Sequence, residues 1–214
     1  MNSSFTMKKC ISFVLALIMC FSLSACTKSG SPGTVNESNG AAEPGKSDRT
    51  DVVYCLTSDI ASFDPTYTSE QISVIMYRQL YDTLVDKDEN GNWVGKLAES
   101  WKISEDECTY TFYLRKDVVC HDGQKMTSKD VAYSINNLIQ SKSYGTGMVN
   151  MVDCVAIDDY TVDIHLSSPY APTLNVLLGY GAIASANNTD YDVNPIGTGP
   201  YKFVSRNSGD NIKL

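Results

Sequence analysis

The residues that decide the fold lie at 109–140 and read TYTFYLRKDVVCHDGQKMTSKDVAYSINNLIQ. Over 109–115 apolar and polar side chains alternate, which is the two-residue period of a strand with one buried face. From Thr127 onward the apolar residues recur every three or four positions, which is the period of a helix with one buried face. Thr127 and Asp130 have the spacing of a capping box, so the helix is predicted to begin there and to end near Gln140. The apolar positions of the two elements are Tyr110, Phe112, Leu114, Val131, Ile135, Leu138 and Ile139.

Less regular patterns flank this stretch on both sides. The predicted elements are a buried strand at 51–57, a helix at 69–84, a turn at Asn90–Gly91, two strands within 152–166 joined by a turn at Asp158–Asp159, a short helix at 172–178 and a last strand at 201–204. Strands and helices are thus mixed without regular alternation. The predicted fold class is therefore α/β, of the mixed α+β kind.

The first 25 residues have the features of a secretory signal peptide. The basic pair Lys8–Lys9 precedes an apolar run at 10–23, which is too short for a mature membrane-spanning helix. The small residues that follow, with Cys26 directly after them, resemble the lipobox of bacterial lipoproteins, in which this cysteine carries the lipid. An ordinary cleaved signal peptide is the alternative.

Residues 26–49 are rich in Ser, Gly, Pro, Asn and Glu and predict a flexible linker, so the foldable part is 50–214. The chain has 17 basic and 25 acidic residues, and removal of 1–25 leaves 15 basic residues against 25 acidic ones, a net charge of −10. Such a surface repels nucleic acid and anionic lipid. No nucleic-acid partner is expected, and a lipid on Cys26 would hold the protein at the membrane.

Four cysteines belong to the foldable part: Cys55, Cys108, Cys120 and Cys154. In an exported protein they could form disulfides in three alternative pairings, and no C-x-x-C motif is among them. Cys55 and Cys154 stand in apolar surroundings typical of strands, where a buried thiol serves as a small apolar side chain. The sequence therefore favours mostly free cysteines.

Two short motifs invite a chemical interpretation. The run at 120–123, CHDG, contains residue types found in metal sites and nucleophile–base pairs, but adjacent residues point apart and no second histidine is suitably spaced. Gly197-Thr198-Gly199 is followed by proline and a predicted strand, whereas a phosphate loop leads into a helix N-terminus. Both motifs are predicted to be structural, and no metal, cofactor or catalytic residue is expected.

The chain contains 13 tyrosines. Those in loops or at element ends offer a flat apolar face with a polar hydroxyl, which suits recognition of a small polar ligand; packing against the core is an equally good interpretation. They are Tyr67, Tyr144, Tyr170, Tyr180 and Tyr191.

The region 97–138 closely resembles the bacterial extracellular solute-binding proteins of family 5, the peptide- and nickel-type receptors of ABC importers. Three further blocks support the resemblance: Phe63-Asp64-Pro65, YDTLV at 81–85 and NPIGTGPYKF at 194–203. Together they span nearly all of 52–206 in the order and spacing of the family. The sequence departs from the family where Glu107 replaces a usual glycine and where Cys120 replaces a usual aromatic residue.

The resemblance implies a periplasmic-binding-protein-like lobe of type II with an inserted smaller α+β domain at about 66–194. It also implies a second lobe that this chain lacks. Members capture a solute between two closing lobes and deliver it to a permease that is driven by an ATPase subunit. The implied protein is a monomer without enzymatic activity. It is either lipid-anchored on the outer face of the bacterial cytoplasmic membrane or periplasmic.

The resemblance also implies which loops line the ligand cleft. The expected ligand-binding residues are Tyr67, Thr68, Ser69, Glu70, Tyr144, Met148, Tyr180 and Gly181. An oligopeptide or dipeptide is the predicted solute, with a nickel complex or another small solute as the alternative. A truncated surface lipoprotein without transport function is the rival hypothesis, and a metal hydrolase that uses His121 ranks third.

Overall fold

Helices and strands follow one another irregularly in the computed structural model, which describes residues 51–144, 148 and 150–214. The elements are α1 (Gln71–Leu80), β1 (Val85–Lys87), β2 (Trp93–Gly95), β3 (Ala98–Ile103), β4 (Thr109–Leu114), α2 (Ser128–Gln140), β5 (Met151–Asp158), β6 (Thr161–Leu166), α3 (Thr173–Tyr180), β7 (Ser205–Asn207) and β8 (Asn211–Lys213). The architecture is mixed α/β, as predicted. The predicted signal peptide at 1–25, Cys26 and the linker at 26–49 lie outside the described residues.

The centre of the fold is an antiparallel sheet with the strand order β3-β4-β6-β5. In β4 every second side chain is buried, which confirms the alternation predicted over 109–115, and β6 has the same pattern. The turn between β5 and β6 consists of Asp159 and Tyr160, one residue later than predicted, because Asp158 still pairs with Thr161.

Helix α2 covers the buried face of this sheet with Val131, Ile135 and Leu138. Its predicted N-terminal cap is present, since the Asp130 carboxylate accepts the backbone N–H of Thr127 at 2.7 Å. The helix ends where the backbone of Ser141 turns extended. The strand and helix of the stretch 109–140 thus form one core.

A second apolar cluster forms around α1, from residues near both ends of the described chain. Phe63 and Leu80 are fully buried in it, and Phe63 meets Phe203 edge-on with ring centroids 5.0 Å apart. Ile212 and Leu214 pack against the same cluster. The first core lies within 84–196, whereas the second joins residues from 56–81 to residues from 182–214.

An ionic clasp joins the two chain segments of the second cluster. The Asp59 carboxylate accepts hydrogen bonds from Arg206 Nη2, Ser208 Oγ and the Gly209 N–H, each at 2.9 Å. Arg206 also donates to the Ile60 carbonyl at 2.6 Å. The guanidinium of Arg206 and the Gly209 N–H lower the pKa of Asp59 to about 2.

The strands predicted at the two ends are wrong. Residues 53–57 form no strand, and Val53 and Tyr54 are 75% and 71% exposed, because none of the described strands pairs with them. Residues 201–204 are also not a strand, since the hairpin β7–β8 begins only at Ser205.

Helix α1 is shorter than the predicted 69–84, and the reason also explains the loop at 197–201. The last turn of a helix leaves carbonyl groups without partners inside the helix. Here the N–H of Gly199 donates to Leu80 O at 2.9 Å, and the N–H of Tyr201 donates to Gln79 O at 3.0 Å. The loop therefore closes the helix end instead of joining a sheet.

The four cysteines of the described region are free thiols. Cys154 is buried as predicted, but Cys55 is exposed because the strand predicted around it does not form. Burial raises the pKa of Cys120 and of Cys154 to about 12. Both therefore pack as apolar side chains.

Candidate functional site

The loop at 64–70 leads into helix α1 and takes its shape from Asp64. The Asp64 carboxylate accepts the N–H of Thr66 at 2.8 Å and its hydroxyl at 2.7 Å. The Asp64 carbonyl accepts the N–H of Tyr67 at 3.1 Å. An Asp followed by Pro is well suited to such a turn, because the carboxylate bonds the backbone two residues on.

A row of side-chain hydroxyls ties this loop to the segment after α2. Ser141 Oγ donates to Thr66 O at 2.6 Å, and Ser143 Oγ donates to Tyr67 O. Tyr144 Oη lies 2.5 Å from Pro65 O and 2.8 Å from Thr68 O. We refer to these contacts, from the hydroxyls of Ser141, Ser143 and Tyr144 to the carbonyls of 65–68, as the hydroxyl seam. Four successive carbonyls of the loop thus face three hydroxyls, and Tyr144, with one proton, is shared between the carbonyls of Pro65 and Thr68.

Two tyrosines that sequence places far apart meet beside the seam. The rings of Tyr144 and Tyr180 lie with centroids 5.0 Å apart and tilted by 56°. Tyr180 at the end of α3 is 40% exposed and Tyr67 is 61% exposed, whereas Tyr144 is buried. Burial, followed by the charges of Tyr180 and Asp64, raises the pKa of Tyr144 to about 12, so its hydroxyl keeps the proton that it donates.

The seam also decides which way the loop's N–H groups face. No peptide of the described chain is cis, and in a trans peptide the N–H points opposite to the preceding carbonyl. Because the carbonyls of Tyr67 and Thr68 point into the seam, the N–H groups of Thr68 and Ser69 point away from it. Within the described residues neither N–H has a hydrogen-bond partner. They are free donors for an oxygen of a ligand.

The structure brings most of the expected ligand-binding residues to one place. The group consists of Tyr67, Thr68, Ser69, Tyr144 and Tyr180, with the exposed Glu70 next to Ser69. Met148 is instead buried in the first core. Gly181 is buried at the end of α3, where an added Cβ would lie 2.6 Å from Leu177 O. Ligand contact by these two residues stays a prediction.

The two remaining loop tyrosines follow the packing interpretation. Tyr170 is partly buried against the first core and Tyr191 against the second. Ser141 and Ser143 were not foreseen from the sequence, although a hydroxyl-rich SKSY directly after a predicted helix is a signal that could have been noticed.

His121 has a structural environment. Its Nδ1 accepts the Gly197 N–H at 3.3 Å, and its Nε2 lies 3.0 Å from Gly199 O. His165 lies on the other, solvent-facing side of the sheet, with Nδ1 2.6 Å from Asp153 Oδ1. Over 51–144, 148 and 150–214, no three His, Cys, Asp or Glu side chains gather as metal ligands would.

An open recess of about 390 Å³ is lined by residues of β2, β3 and the segment after β4, none of which is among the expected ligand-binding residues. Arg115 and Asp117 on its wall pair with each other at 2.8 Å, so their charges are mutually neutralised. The recess therefore adds nothing to the candidate site. In the described part of the chain, no helix combines the length and apolarity that crossing a membrane requires.

Comparison with known proteins agrees with this architecture. The family described as bacterial extracellular solute-binding proteins, family 5 Middle, matches residues 92–214, more than half of the chain. The chain therefore belongs to family 5 of the bacterial extracellular solute-binding proteins. Its solved structural relatives are periplasmic binding proteins of type II.

Three relatives show the range of the family. The glutathione-binding protein GsiB of Pectobacterium atrosepticum is 31% identical over 175 residues, covering 77% of this chain and 34% of the relative. The dipeptide-binding protein of Escherichia coli K12 is 29% identical over 198 residues, covering 76% and 36%. NikZ from Campylobacter jejuni, solved in complex with Ni(L-His), is 31% identical with a TM-score of 0.61, covering 70% and 32%. The chain spans about a third of the length of these relatives.

Proposed function

We propose that the chain carries one wall of the ligand cleft in the substrate-binding subunit of an ABC importer, and that its solute is a peptide. The observation that supports this most is the meeting of the 64–70 loop with Tyr144 and Tyr180. The loop carries two free N–H donors, the exposed Tyr67 and the exposed Glu70, and Tyr144, which it contacts, packs against the Tyr180 ring. Relatives named for glutathione and for dipeptides point to the same ligand class.

The chemistry of this group suits a peptide. The N–H groups of Thr68 and Ser69 can donate to carbonyl oxygens of the ligand backbone, and the carboxylate of Glu70 can pair with an amino group. Tyr67 and Tyr180 offer flat faces that cover side chains of varied size. Such contacts recognise features that all peptides share.

In this proposal the ligand binds between two lobes, and ligand contacts to both lobes favour the closed form. The region at about 66–194 is the smaller inserted domain and carries the hydroxyl seam. The rest of the described chain belongs to the main domain. The closed receptor then docks on a permease, and a separate ATPase subunit drives import.

The ligand class is tested by isothermal titration of the protein produced from its complete gene, against di- to pentapeptides, glutathione and a nickel–histidine complex. We expect binding heat with peptides, and a loss of affinity of about tenfold or more in Tyr67→Ala and in Tyr180→Ala. Tyr113→Ala, on the solvent-facing side of β4, is the matched control. Binding of the nickel complex alone would contradict the peptide proposal. If none of these solutes gives binding heat, a lipoprotein without transport function would be favoured.

Membrane attachment through Cys26 is part of the proposal. Cleavage after residue 25 would leave this cysteine at the N-terminus with its acyl chains, and 26–49 would be the linker between membrane and fold. We expect Cys26→Ser to move the protein from the detergent phase to the aqueous phase in detergent partitioning. Cys55→Ser, which removes an exposed thiol elsewhere, should leave the partitioning unchanged. Equal partitioning of the wild type and Cys26→Ser would disprove lipid attachment at this residue.

A further inference from the structure

We propose that Ser141 and Ser143 are positioning residues, whose hydroxyls hold the ligand loop at 66–69 in its binding shape before the ligand arrives. The inference rests on the proposed function of that loop. It goes beyond it by giving a role to two serines that neither the family resemblance nor the loop tyrosines indicate.

The two serines connect the loop to a rigid part of the molecule. The Ser141 N–H donates to Leu138 O at 3.1 Å, so Ser141 is fixed by the end of α2. The Ser143 N–H donates to Ser141 Oγ at 3.2 Å, which couples the two residues. The seam therefore transmits the position of a well-anchored helix to a loop on the surface.

Helix α2 is itself anchored by side chains along its length. Asp130 Oδ1 accepts the Ala186 N–H at 2.8 Å, and Ser134 Oγ donates to Ala184 O at 3.0 Å. Asn136 bonds both backbone groups of Cys154 at 2.8 and 2.9 Å. A loop tied to this helix by Ser141 and Ser143 has fewer conformations than one held only by the Asp64 turn and the Tyr144 hydroxyl.

Removing the hydroxyls of Ser141 and Ser143 should affect ligand binding more than folding. Ser143 is exposed and Ser141 is half-buried, and both lie outside the two apolar clusters, so removing their hydroxyls leaves no cavity in either core. A free loop, however, has to be ordered when the ligand binds, and that ordering reduces affinity. It would also allow the carbonyls of Thr66 and Tyr67 to turn, and the N–H groups of Tyr67 and Thr68 would turn with them.

The test compares the wild type with a double variant that carries both Ser141→Ala and Ser143→Ala. The matched control is Ser167→Ala with Ser168→Ala, which removes two exposed hydroxyls that make no hydrogen bond within the described chain. A third variant, with threonine at both positions 141 and 143, keeps the hydroxyls. The three readouts are amide hydrogen exchange of the free protein, the melting temperature, and the affinity for trialanine as the probe.

We expect the amides of Tyr67 and Glu70 to exchange about tenfold faster in the alanine variant. Affinity for trialanine should fall about tenfold, equivalent to about 1.4 kcal/mol, with the melting temperature and the amides of β4 unchanged. The threonine variant should behave like the wild type. These results together would establish positioning, because a merely structural role would accelerate exchange across the sheet and lower the melting temperature.

Unchanged exchange of Tyr67 and Glu70 in the alanine variant would overturn the inference, as would unchanged affinity in a protein whose wild type binds trialanine. Equal acceleration in β4 would overturn it too. If the wild type binds neither trialanine nor any other peptide, the proposed function fails. The exchange rates of the free protein would then decide by themselves whether the seam holds the loop.

Discussion

Glu107 occupies a backbone conformation that favours glycine. Its φ is 55°, and among the described non-glycine residues it alone has a positive φ. It closes the turn between β3 and β4, where its N–H donates to Ser104 O at 2.9 Å. A side chain in the left-handed region costs about 1 kcal/mol or more, which agrees with the usual glycine of the family at this position.

We therefore expect Glu107→Gly to stabilise the fold by about 0.5–1 kcal/mol, because the strain is worth more than the added freedom of the unfolded chain. Urea unfolding followed by circular dichroism measures the change. Glu105→Gly is the matched control, since Glu105 lies in the same turn without a positive φ, and it should not stabilise. A lower midpoint for Glu107→Gly would show that the turn is not strained.

The Asp59 clasp should make stability depend on pH in the acid range. The pKa of Asp59 is lowered from 3.8 to about 2 in the folded state. Its contribution is therefore fully present above about pH 4 and is lost as the pH falls through about 2. We expect Asp59→Asn to destabilise the protein by about 1 kcal/mol near neutral pH, a modest value because solvent screens part of the pairing.

This difference between wild type and Asp59→Asn should shrink steadily between about pH 4 and pH 2, and urea unfolding at several pH values measures it. Glu89→Gln, at an exposed position of the turn after β1, serves as the control for losing one negative charge. A difference that stays constant down to about pH 2 would mean that the clasp does not depend on the Asp59 charge.

At the scale of elements, the outer strand β5 depends on a side chain of α2. The amide of Asn136 donates to Cys154 O at 2.8 Å and accepts the Cys154 N–H at 2.9 Å. It thereby takes the place of a neighbouring strand at one residue of an open sheet edge. Unpaired edge groups otherwise attract strands of other molecules.

We expect Asn136→Ala to destabilise the fold by about 1–3 kcal/mol, because two backbone groups lose their partner. Asn137→Ala, at the next position of the helix, should change stability by less than about 0.5 kcal/mol. Thermal unfolding gives the stability, and light scattering shows whether the uncovered edge promotes association. Equal effects of the two variants would contradict the role given to Asn136.

The elements that the sequence predicted well are those that carry their own periodicity. For β4, α2 and β6 the buried positions follow from spacing alone, since one face of each meets a single core. The predictions of strands at 51–57 and 201–204 were wrong because a strand needs a partner strand. An apolar run such as 51–57 does not reveal whether a partner strand is present. The end of α1 depends on Gly199 and Tyr201, more than a hundred residues away.

The sequence was enough to predict which loops form the candidate site, but not the contacts that join them. The family resemblance indicated Tyr67–Glu70, Tyr144 and Tyr180, and the structure brings these together. The seam that joins them depends on the geometry at the end of α2, where the hydroxyls of Ser141 and Ser143 face the loop's carbonyls. No local pattern encodes a contact between residues about 75 positions apart.

At the scale of the whole molecule, the loop at 197–201 connects the two apolar clusters. A Cβ at Gly197 would lie 2.1 Å from Leu80 O, and one at Gly199 would lie 2.5 Å from the Leu80 carbonyl carbon. Real Cβ atoms do not approach so closely, so the loop would have to leave the end of α1. The lost hydrogen bonds at Leu80 and Gln79 add to the effect.

We expect Gly197→Ala to destabilise the protein by about 2–4 kcal/mol, with the strained contact as the cause. Gly179→Ala is the matched control: an added Cβ there has open space within α3, and the fold should gain up to about 1 kcal/mol. Thermal unfolding distinguishes the two. A Gly197→Ala variant as stable as the wild type would show that the loop can leave α1 freely.

The two clusters also differ in how far along the chain their members lie. The first draws on one continuous stretch, 84–196, whereas the Asp59–Arg206 clasp of the second joins residues 147 positions apart. Contacts between distant residues form late, because a long loop has to close first. We expect the sheet with α2 to fold first and the ends of the described chain to join it in a slower step. As the last region to form, the clasp should also be the first to open in the native protein.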